Sequence, residues 1–290
     1  MFKGIRDFEY ETYNAIDYKV CKGCNLISQD PLPDSSLIPT FYPDNYRNYL
    51  PISSKSIFSG LKNIQFKNLA NKIAKYFNGK NNNIKILDLG FGNGQLLLAL
   101  KHKGYNNLYG ADFTDRAFSN LVSSGVKLKV SNIEERFPFD EEFDVIIMNN
   151  VIEHFLNPLK VLQNCSSKLS KTGKIILITP NANALEFTLF KKYWAGFHAP
   201  RHTFLFNTKN IKLLGKNIGF LNIKIEPECD PGQISISIQN FFQDYNLTKT
   251  KLKNGMSWYL VPTSVFCSPI ATLQTLINKS TSMFCVFSNN

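Results

Sequence analysis

Apolar and polar residues alternate in blocks through the middle of the chain, and the blocks predict strands and helices in turn. Short apolar runs typical of buried strands occur at 84–89, 108–112, 127–130, 143–149 and 173–179. Each run is followed by a segment of mixed polarity that is long enough for a turn or a helix. Apolar strands that alternate with helices are typical of a parallel sheet with helices on both faces. The pattern therefore predicts an α/β fold.

The segments between the strands carry apolar residues three or four positions apart, which is the spacing of an amphipathic helix. The clearest of them is 57–77, where Leu61, Ile64, Leu69 and Ile73 share one face. The remaining elements are predicted as helices at 95–101, 116–123, 158–169 and 208–219 and as strands at 221–225 and 282–287.

The first fifty residues follow neither period. They are rich in proline, tyrosine and aspartate, as in the stretch DPLPDSSLIPTFYPDNY, and they predict loops packed on a surface. We therefore divide the chain into a loop-rich N-terminal extension, 1–55, and one domain, 56–290. Within that domain, 190–207 is predicted to be an insertion on the acceptor side.

Composition and charge exclude some classes and leave others open. A hydrophobic fraction of 43% in 290 residues supports a full core. The start of the chain lacks the apolar centre of a signal peptide, so we expect a cytoplasmic location and reduced thiols. The apolar stretch 258–272 contains two prolines and is shorter than the roughly 18 residues of a membrane span. It predicts a buried or interfacial segment, which leaves peripheral membrane contact open.

The net charge of +11 is compatible with an anionic partner. However, the lysines are spread along the chain and do not cluster with aromatic residues as in nucleic-acid recognition. We therefore expect no nucleic-acid partner, and the sequence does not indicate an oligomeric state.

A glycine loop follows the first apolar strand in the stretch ILDLGFGNGQLLLAL. Its glycines, Gly90, Gly92 and Gly94, are spaced more tightly than the G-x-G-x-x-G pattern of dinucleotide-binding proteins. Asp88 precedes the loop, where a carboxylate would repel a pyrophosphate but suits a ligand with an amino group and a sulfonium. This charge pattern favours S-adenosylmethionine over NAD. Asp112 ends the next strand and could accept both ribose hydroxyls of either cofactor, so an NAD-dependent oxidoreductase stays an alternative.

Four blocks in order, ILDLGFGNGQLLLAL, YGADFT, FDVIIMNNVIEHFLNPLKVL and GKIILITPN, resemble a class I S-adenosylmethionine-dependent methyltransferase. The resemblance covers about 84–220. It implies a Rossmann-like sheet of seven strands with helices on both faces and an antiparallel last strand, for which 282–287 is the candidate.

The resemblance also implies a cofactor site. Asp88 and the three glycines of the loop would contact the methionine part of the cofactor, and Asp112 the ribose. The resemblance also implies that Phe113 packs on the adenine ring and that Asn132 and Ile133 contact its edge. Asn149 and Asn150 would lie beside the methyl group.

Three of the four histidines of the chain are predicted near the same edge of the sheet, and each is a candidate base for methyl transfer to oxygen. These are His154, after the fourth strand, and His198 and His202, after the fifth. The segment WAGFHAPRH resembles one found in methyltransferases that act on glycans and small molecules. That resemblance implies a substrate-binding role for Arg201, toward a phosphate or carboxylate, and a pocket wall formed by Trp194 and Phe197.

The cysteine pair in VCKGCNL resembles the second half of a zinc-binding module found on some sugar and glycan methyltransferases. Cys21 and Cys24 alone cannot supply the four ligands of structural zinc, so we expect no metal. The predicted acceptor is a small molecule or a glycan, including a nucleotide sugar, and O-methylation is expected. Carbon methylation of a deoxysugar and a non-catalytic binding protein on a decayed methyltransferase fold stay open.

Overall fold

The computed structural model describes residues 1–50, 57–77, 83–247 and 252–289. Strands within these ranges are β1 (Phe2–Ile5), β2 (Ile16–Val20), β3 (Ile27–Gln29), β4 (Ile86–Leu89), β5 (Leu108–Asp112), β6 (Lys127–Val130), β7 (Phe143–Asn149), β8 (Leu169–Pro180), β9 (Phe204–Leu205), β10 (Asn222–Glu228) and β11 (Ser282–Ser288). The α-helices are α1 (Ile57–Ala74), α2 (Gln95–His102), α3 (Pro158–Ser166), α4 (Leu185–Phe190), α5 (Thr208–Ile218), α6 (Pro231–Asp244) and α7 (Leu260–Leu276).

Seven strands form the central sheet in the order β10-β11-β8-β7-β4-β5-β6. The strands from β8 to β6 pair in parallel, whereas β11 is antiparallel to both β8 and β10. This confirms the predicted seven-stranded, Rossmann-like fold with helices and an antiparallel last strand. The chain order reverses at β4, which lies between β5 and β7. Ligands bind at such switch points, beyond the carboxyl ends of the strands.

Buried side chains lie on both faces of the sheet because its inner strands direct apolar residues toward both faces. Ile86, Val145 and Ile176 face a cluster with α1 and α2, and Leu87 and Ile146 face a cluster with α3 and α5. This two-sided burial explains why the strands read as continuous apolar runs.

The N-terminal extension differs from the prediction of loops alone. Its three strands, β1, β2 and β3, form an antiparallel sheet. The fourth strand of this sheet is β9, which belongs to the domain that follows the extension and pairs with β3. The hydroxyl of Tyr18 donates to the carbonyl of His202, 2.8 Å away, and the amide of Gln29 donates to the carbonyl of Pro200 at 2.6 Å. The extension is thus anchored on the segment that carries two of the predicted histidines. Its predicted boundary at residue 55 lies outside the described residues.

One further prediction needs correction. The helix expected at 116–123 is replaced by two short 3-10 turns, Phe118–Asn120 and Val122–Ser124. The apolar stretch 258–272 falls largely in α7, which contains Pro269. This helix buries Cys267 and Ala271 against α6 but exposes Phe266 and other apolar side chains. Among the helices that the structure describes, none has the length and hydrophobicity to cross a membrane.

Candidate active site

The glycine loop turns sharply between β4 and α2, and its backbone requires glycine. Gly90, Gly92 and Gly94 have φ values of +67°, +54° and +80°, a region that other residues rarely adopt. A Cβ atom on Gly90 would lie 2.6 Å from Cγ2 of Val151, in the loop after β7. The backbone therefore passes close to the neighbouring loop at the carboxyl edge of the sheet.

Two carboxyl groups, Asp88 on β4 and Asp112 on β5, are buried beside this loop. The backbone N–H of Gly92 donates to Oδ2 of Asp112 at 3.1 Å, while Oδ1 of each aspartate is buried without a hydrogen-bond partner. Burial raises the pKa of Asp112 to about 7, and burial together with the charge of Asp112 raises the pKa of Asp88. Unpaired buried oxygens are costly, and a ligand that brings hydroxyl donors and positive charge would satisfy them. The residues present therefore fit a nucleoside with a cationic group.

Aromatic residues of the N-terminal extension cover this edge. The ring centroids of Tyr42 and Tyr49 lie 5.1 Å and 5.9 Å from that of Phe113, which follows β5. The carbonyl oxygen of Asn48 lies 3.1 Å from the place where a Cβ on Gly92 would be. Phe113, which sequence predicts to pack on an adenine, thus lies under the tyrosines of the extension.

The other predicted cofactor contacts flank the same edge. Asn132 lies after β6, where its Nδ2 donates to Glu135 at 2.8 Å, so part of its hydrogen-bonding capacity is used locally. Ile133 is buried in the core. Asn149 ends β7, and Asn150 follows it with φ of +55°, donating from Nδ2 to Oδ1 of Asn149 at 3.3 Å.

The three predicted histidines meet next to this edge. The ring centroids of His154 and His202 are 4.7 Å apart, and those of His198 and His202 are 5.1 Å apart. His154 ends a short 3-10 turn, Ile152–His154, after β7, whereas His198 and His202 lie between the 3-10 turn Ala195–Phe197 and β9. The structure therefore brings the three histidine rings together.

His198 has a carboxylate partner that sequence reasoning missed. Its Nδ1 lies 2.8 Å from Oε1 of Glu9, and its Nε2 lies 3.3 Å from the hydroxyl of Tyr46. Burial raises the pKa of Glu9, but the charge of Arg47 and the hydrogen bond from His198 outweigh it and lower the pKa to about 2. Because an ionised carboxylate only accepts, Nδ1 carries the hydrogen and Nε2 of the neutral ring keeps a lone pair. No motif marks Glu9, since it lies in an irregular N-terminal turn.

His154 and His202 are held by backbone carbonyls. Nδ1 of His202 lies 2.8 Å from the carbonyl oxygen of Gly196, and Nδ1 of His154 lies 3.1 Å from that of Arg201 and 3.0 Å from the hydroxyl of Tyr42. Burial lowers the pKa of both rings, that of His154 to about 3. Both rings are therefore neutral at physiological pH.

The buried carboxyl group of Glu153 lies between these rings and β8. Its Oε2 accepts a hydrogen bond from Thr179 at 3.0 Å, and its Oε1 lies 3.8 Å from Nε2 of His202. Burial raises the pKa of Glu153 to about 8. Ligand atoms of Glu153, His154 and His202 lie within 4.8 Å of one another.

The structure corrects the substrate-binding role expected of Arg201. Its side chain is buried, and Nη2 lies 2.9 Å from Oδ2 of Asp7 in the N-terminal extension. The guanidinium also lies 4.7 Å from the centre of the Tyr10 ring. A cation that is already paired and enclosed is not free to hold an acceptor's phosphate.

Trp194 and Phe197 are buried in the packing between the extension and the domain, together with Tyr18 and Phe187. They also line a small cleft, together with Glu9, His198, Lys192 and Asn240. The cleft thus brings the predicted wall residues next to the Glu9–His198 pair.

Comparison with known proteins assigns the class. A family described as "Methyltransferase domain" matches residues 61–225, more than half of the chain. The chain therefore belongs to the methyltransferase domain family. Its domain is a class I S-adenosylmethionine-dependent methyltransferase domain, as the four sequence blocks predict.

Relatives of this chain differ in their named substrates. It is 30% identical over 141 residues to an uncharacterized protein of Methanocaldococcus jannaschii, and 25% identical over 134 residues to the ubiquinone biosynthesis O-methyltransferase of Rickettsia akari. It is 29% identical over 101 residues to the tRNA U34 carboxymethyltransferase of Campylobacter hominis. These matches span 48%, 43% and 33% of this chain and 65%, 52% and 35% of the relatives, so each relative is covered only in part.

Solved structures share the fold. A methyltransferase of Archaeoglobus fulgidus superposes with a TM-score of 0.52 at 19% identity, covering 78% of this chain and 94% of that one. Phosphoethanolamine N-methyltransferase 2 of Haemonchus contortus, in complex with S-adenosylmethionine, gives a TM-score of 0.53 at 20% identity, covering 76% and 52%. This likeness supports the architecture described above.

Proposed function

We propose that this protein is an enzyme that transfers the methyl group of S-adenosylmethionine to a hydroxyl group of a small-molecule acceptor. Family membership supports the methyl donor and argues against the NAD-dependent alternative. The observation that carries the acceptor proposal is the Glu9–His198 pair, which presents a lone pair next to the edge of the sheet where the cofactor residues lie.

The cofactor would be held by the residues that already fit it. Asp112, whose Oδ1 is unpaired, would accept the ribose hydroxyls, and Asp88 would face the positive charge of the methionine part. The open backbone of the glycine loop allows a close approach there. Phe113 would pack on the adenine. When bound, the cofactor supplies an electrophilic methyl group, and the protein supplies alignment, a large part of catalysis for an in-line transfer.

His198 is the histidine best arranged to take the proton of an acceptor hydroxyl. Glu9 orients the ring from the Nδ1 side, which leaves Nε2 as the accepting atom. The hydroxyl of Tyr46 now lies 3.3 Å from that atom, in the position that an acceptor hydroxyl would take. A base oriented by a carboxylate is the arrangement that proton removal from a hydroxyl requires.

The proposed acceptor is a small molecule that carries a hydroxyl group. A small cleft beside His198 has Trp194, Phe197, Lys192 and Asn240 among its lining residues. A relative named for ubiquinone biosynthesis O-methylation agrees with such an acceptor. Glycan and nucleotide-sugar acceptors belong to the same proposal because they also offer hydroxyls. A second relative named for tRNA makes nucleic acid the competing acceptor, which the net charge of +11 also allows.

Cofactor binding is tested first, by calorimetric titration of the purified protein with S-adenosylhomocysteine. Micromolar binding is expected for the wild type, with clear weakening in Asp112→Asn. Asp115→Asn is the matched control, because Asp115 is an exposed aspartate three residues further on. No binding to the wild type would contradict the enzyme proposal.

Methyl acceptance is then measured with labelled S-adenosylmethionine on phenols, catechols, nucleotide sugars and tRNA. We expect transfer to a hydroxyl compound, lost in His198→Gln and retained in His102→Gln, which alters an exposed histidine on α2. Transfer to tRNA alone would replace the small-molecule acceptor with nucleic acid.

A further inference from the structure

Three side chains beside His198, two of them buried and that of His154 half-buried, form a group of their own, for which the proposed methyl transfer gives no role. We propose that Glu153, His154 and His202 bind a divalent transition-metal ion. The sequence predicts no metal because its cysteine pair lacks partners. The candidate ligands here instead come from two separate loops, after β7 and before β9.

The strongest evidence is the gap between Glu153 and His202. Oε1 of Glu153 is buried and has no hydrogen-bond partner, and it lies 3.8 Å from Nε2 of His202. The Nδ1 of this histidine donates to the carbonyl of Gly196, so Nε2 of the neutral ring carries a lone pair. The lone pair on Nε2 thus faces Oε1 of Glu153 at a distance too long for a hydrogen bond, and a metal ion bound there would displace the proton of that carboxyl group. An ion between them would sit about 2 Å from each, as zinc does from nitrogen and oxygen ligands.

Hydrogen bonds with neighbouring groups fix the orientation of Glu153, His154 and His202, as is usual for the residues that bind a metal ion. Histidine ligands usually donate their other ring nitrogen to a carbonyl or carboxylate, which fixes the ring and its tautomer. Nδ1 of His202 and Nδ1 of His154 both lie at hydrogen-bond distance from backbone carbonyls, those of Gly196 and Arg201. Oε2 of Glu153 accepts from Thr179 and is thereby fixed as well.

The donor set selects the class of ion. Two imidazoles and one carboxylate suit zinc, cobalt, iron or nickel, whereas magnesium and calcium prefer oxygen ligands alone. Three protein ligands are also the number found where zinc keeps a position open. An ion in this place would join the loop after β7, at the cofactor edge, to the segment that carries His198. It would therefore set the distance between cofactor and base.

The test uses cobalt, because its visible spectrum reports coordination directly, and zinc as its competitor. It is made in a Cys21→Ser/Cys24→Ser background, so that the N-terminal thiols do not contribute. We expect one equivalent of Co²⁺ to bind with a visible spectrum typical of nitrogen and oxygen ligands, and to be displaced by Zn²⁺. Glu153→Gln, which keeps the acceptor for Thr179, should weaken binding by about 100-fold or more, by analogy with the loss of a metal-site partner. His102→Gln should leave it unchanged.

Titration of the same samples with S-adenosylhomocysteine separates this proposal from the proposed function. A background protein that binds S-adenosylhomocysteine but neither Co²⁺ nor Zn²⁺ overturns the metal site and leaves the methyl-transfer proposal standing. Unchanged Co²⁺ binding in both Glu153→Gln and His154→Gln would place the ion elsewhere and also overturn it. If Glu153→Gln does not fold, as judged by circular dichroism, His154→Gln decides.

Discussion

Nδ1 of His198 lies 2.8 Å from Oε1 of Glu9, although 189 positions separate the two residues along the chain. Glu9 is also paired with Arg47, whose Nη1 lies 2.8 Å from Oε2. The N-terminal extension thus places one buried carboxylate against the candidate base of the domain. Several consequences of this contact can be measured.

Replacing Glu9 should slow methyl transfer without weakening the binding of the cofactor. Because Glu9 acts through His198, we class it as a positioning residue, and Glu9→Gln should lower kcat by a sizeable part of the about 10²- to 10⁴-fold contribution of a general base. KM for S-adenosylmethionine should not change, whereas the pH profile of kcat should shift. Glu11→Gln changes an exposed glutamate two residues away and serves as the control. Equal effects of both variants would argue against the pair.

The same carboxylate should make stability sensitive to acid. The pKa of Glu9 is lowered from an ordinary 4.5 to about 2 in the folded protein. A depressed carboxylate pKa stabilises the fold above the unfolded pKa, and this stabilisation is lost as the pH falls through the folded pKa. Urea unfolding between pH 6 and pH 3 should therefore show a falling free energy of unfolding. The fall should be shallower in Glu9→Gln; parallel curves for wild type and variant would contradict the assignment.

Cofactor binding should depend on pH through Asp112, in a higher pH range than the effect of Glu9 on stability. Its folded pKa is raised by burial from 3.8 to about 7, so a substantial fraction is protonated at pH 6. The ionised form accepts both ribose hydroxyls, and affinity for S-adenosylhomocysteine should therefore rise from pH 6 to pH 8, by at most about tenfold per pH unit. Proton release on binding, measured by calorimetry in two buffers, should disappear in Asp112→Asn. Binding without a pH trend would contradict this role.

A raised carboxylate pKa also has a cost for folding. Since the unfolded Asp112 ionises near 3.8 and the folded one near 7, stability from this group falls as pH rises across that interval. Asp112→Asn should therefore unfold at a higher urea concentration than wild type at pH 8, with a smaller difference at pH 4.

Gly90→Ala should disturb the glycine loop more than its backbone conformation alone explains. The added Cβ would lie 2.6 Å from Cγ2 of Val151 at φ of +67°. Gly125→Ala is the control, because Gly125 has φ of +74° and open space around it. We expect about 1 kcal/mol of destabilisation in the control and about 1–3 kcal/mol more for Gly90→Ala, from urea unfolding. Similar losses in both variants would show that the contact with Val151 relaxes freely.

The ion pair of Arg201 and Asp7 should hold the extension onto the domain. Asp7→Asn leaves a fully buried guanidinium without its charged partner and should cost about 3–5 kcal/mol in the free energy of unfolding. The exposed pair of Lys19 and Asp30 provides the comparison, and Lys19→Gln should cost under about 1 kcal/mol. A small loss in both would mean that Arg201 finds other partners.

Local patterns predicted the inner strands of the central sheet because β4, β5 and β7 are buried on both faces and are flanked by a clear turn or helix. Residues 108–112, for example, were bounded correctly by their apolar run and the acid at its end. The candidate cofactor residues Asp88, Asp112 and the glycine loop lie at two adjacent strand ends, so their positions followed from the same local patterns. The positions of these strands and of the glycine loop are therefore encoded by residues close together in the sequence.

The acceptor side depends on contacts between distant segments, which no local pattern records. Glu9 reaches His198, and Asp7 reaches Arg201, only because β9, a strand of two residues, completes the N-terminal sheet. Phe204–Leu205 is too short to be recognised by alternation. The sequence therefore identified Arg201 and the histidines as chemically notable but could not say that the arginine is already paired.

The segment around Asn48 lies directly over the glycine loop, with Tyr42 and Tyr49 on Phe113. A spent cofactor held by Asp112 and Gly92 could leave only after this aromatic packing opens. Release of the product, rather than methyl transfer itself, would then be the rate-limiting step of repeated turnover. The kinetic form of such an enzyme is a fast first round followed by a slower steady rate.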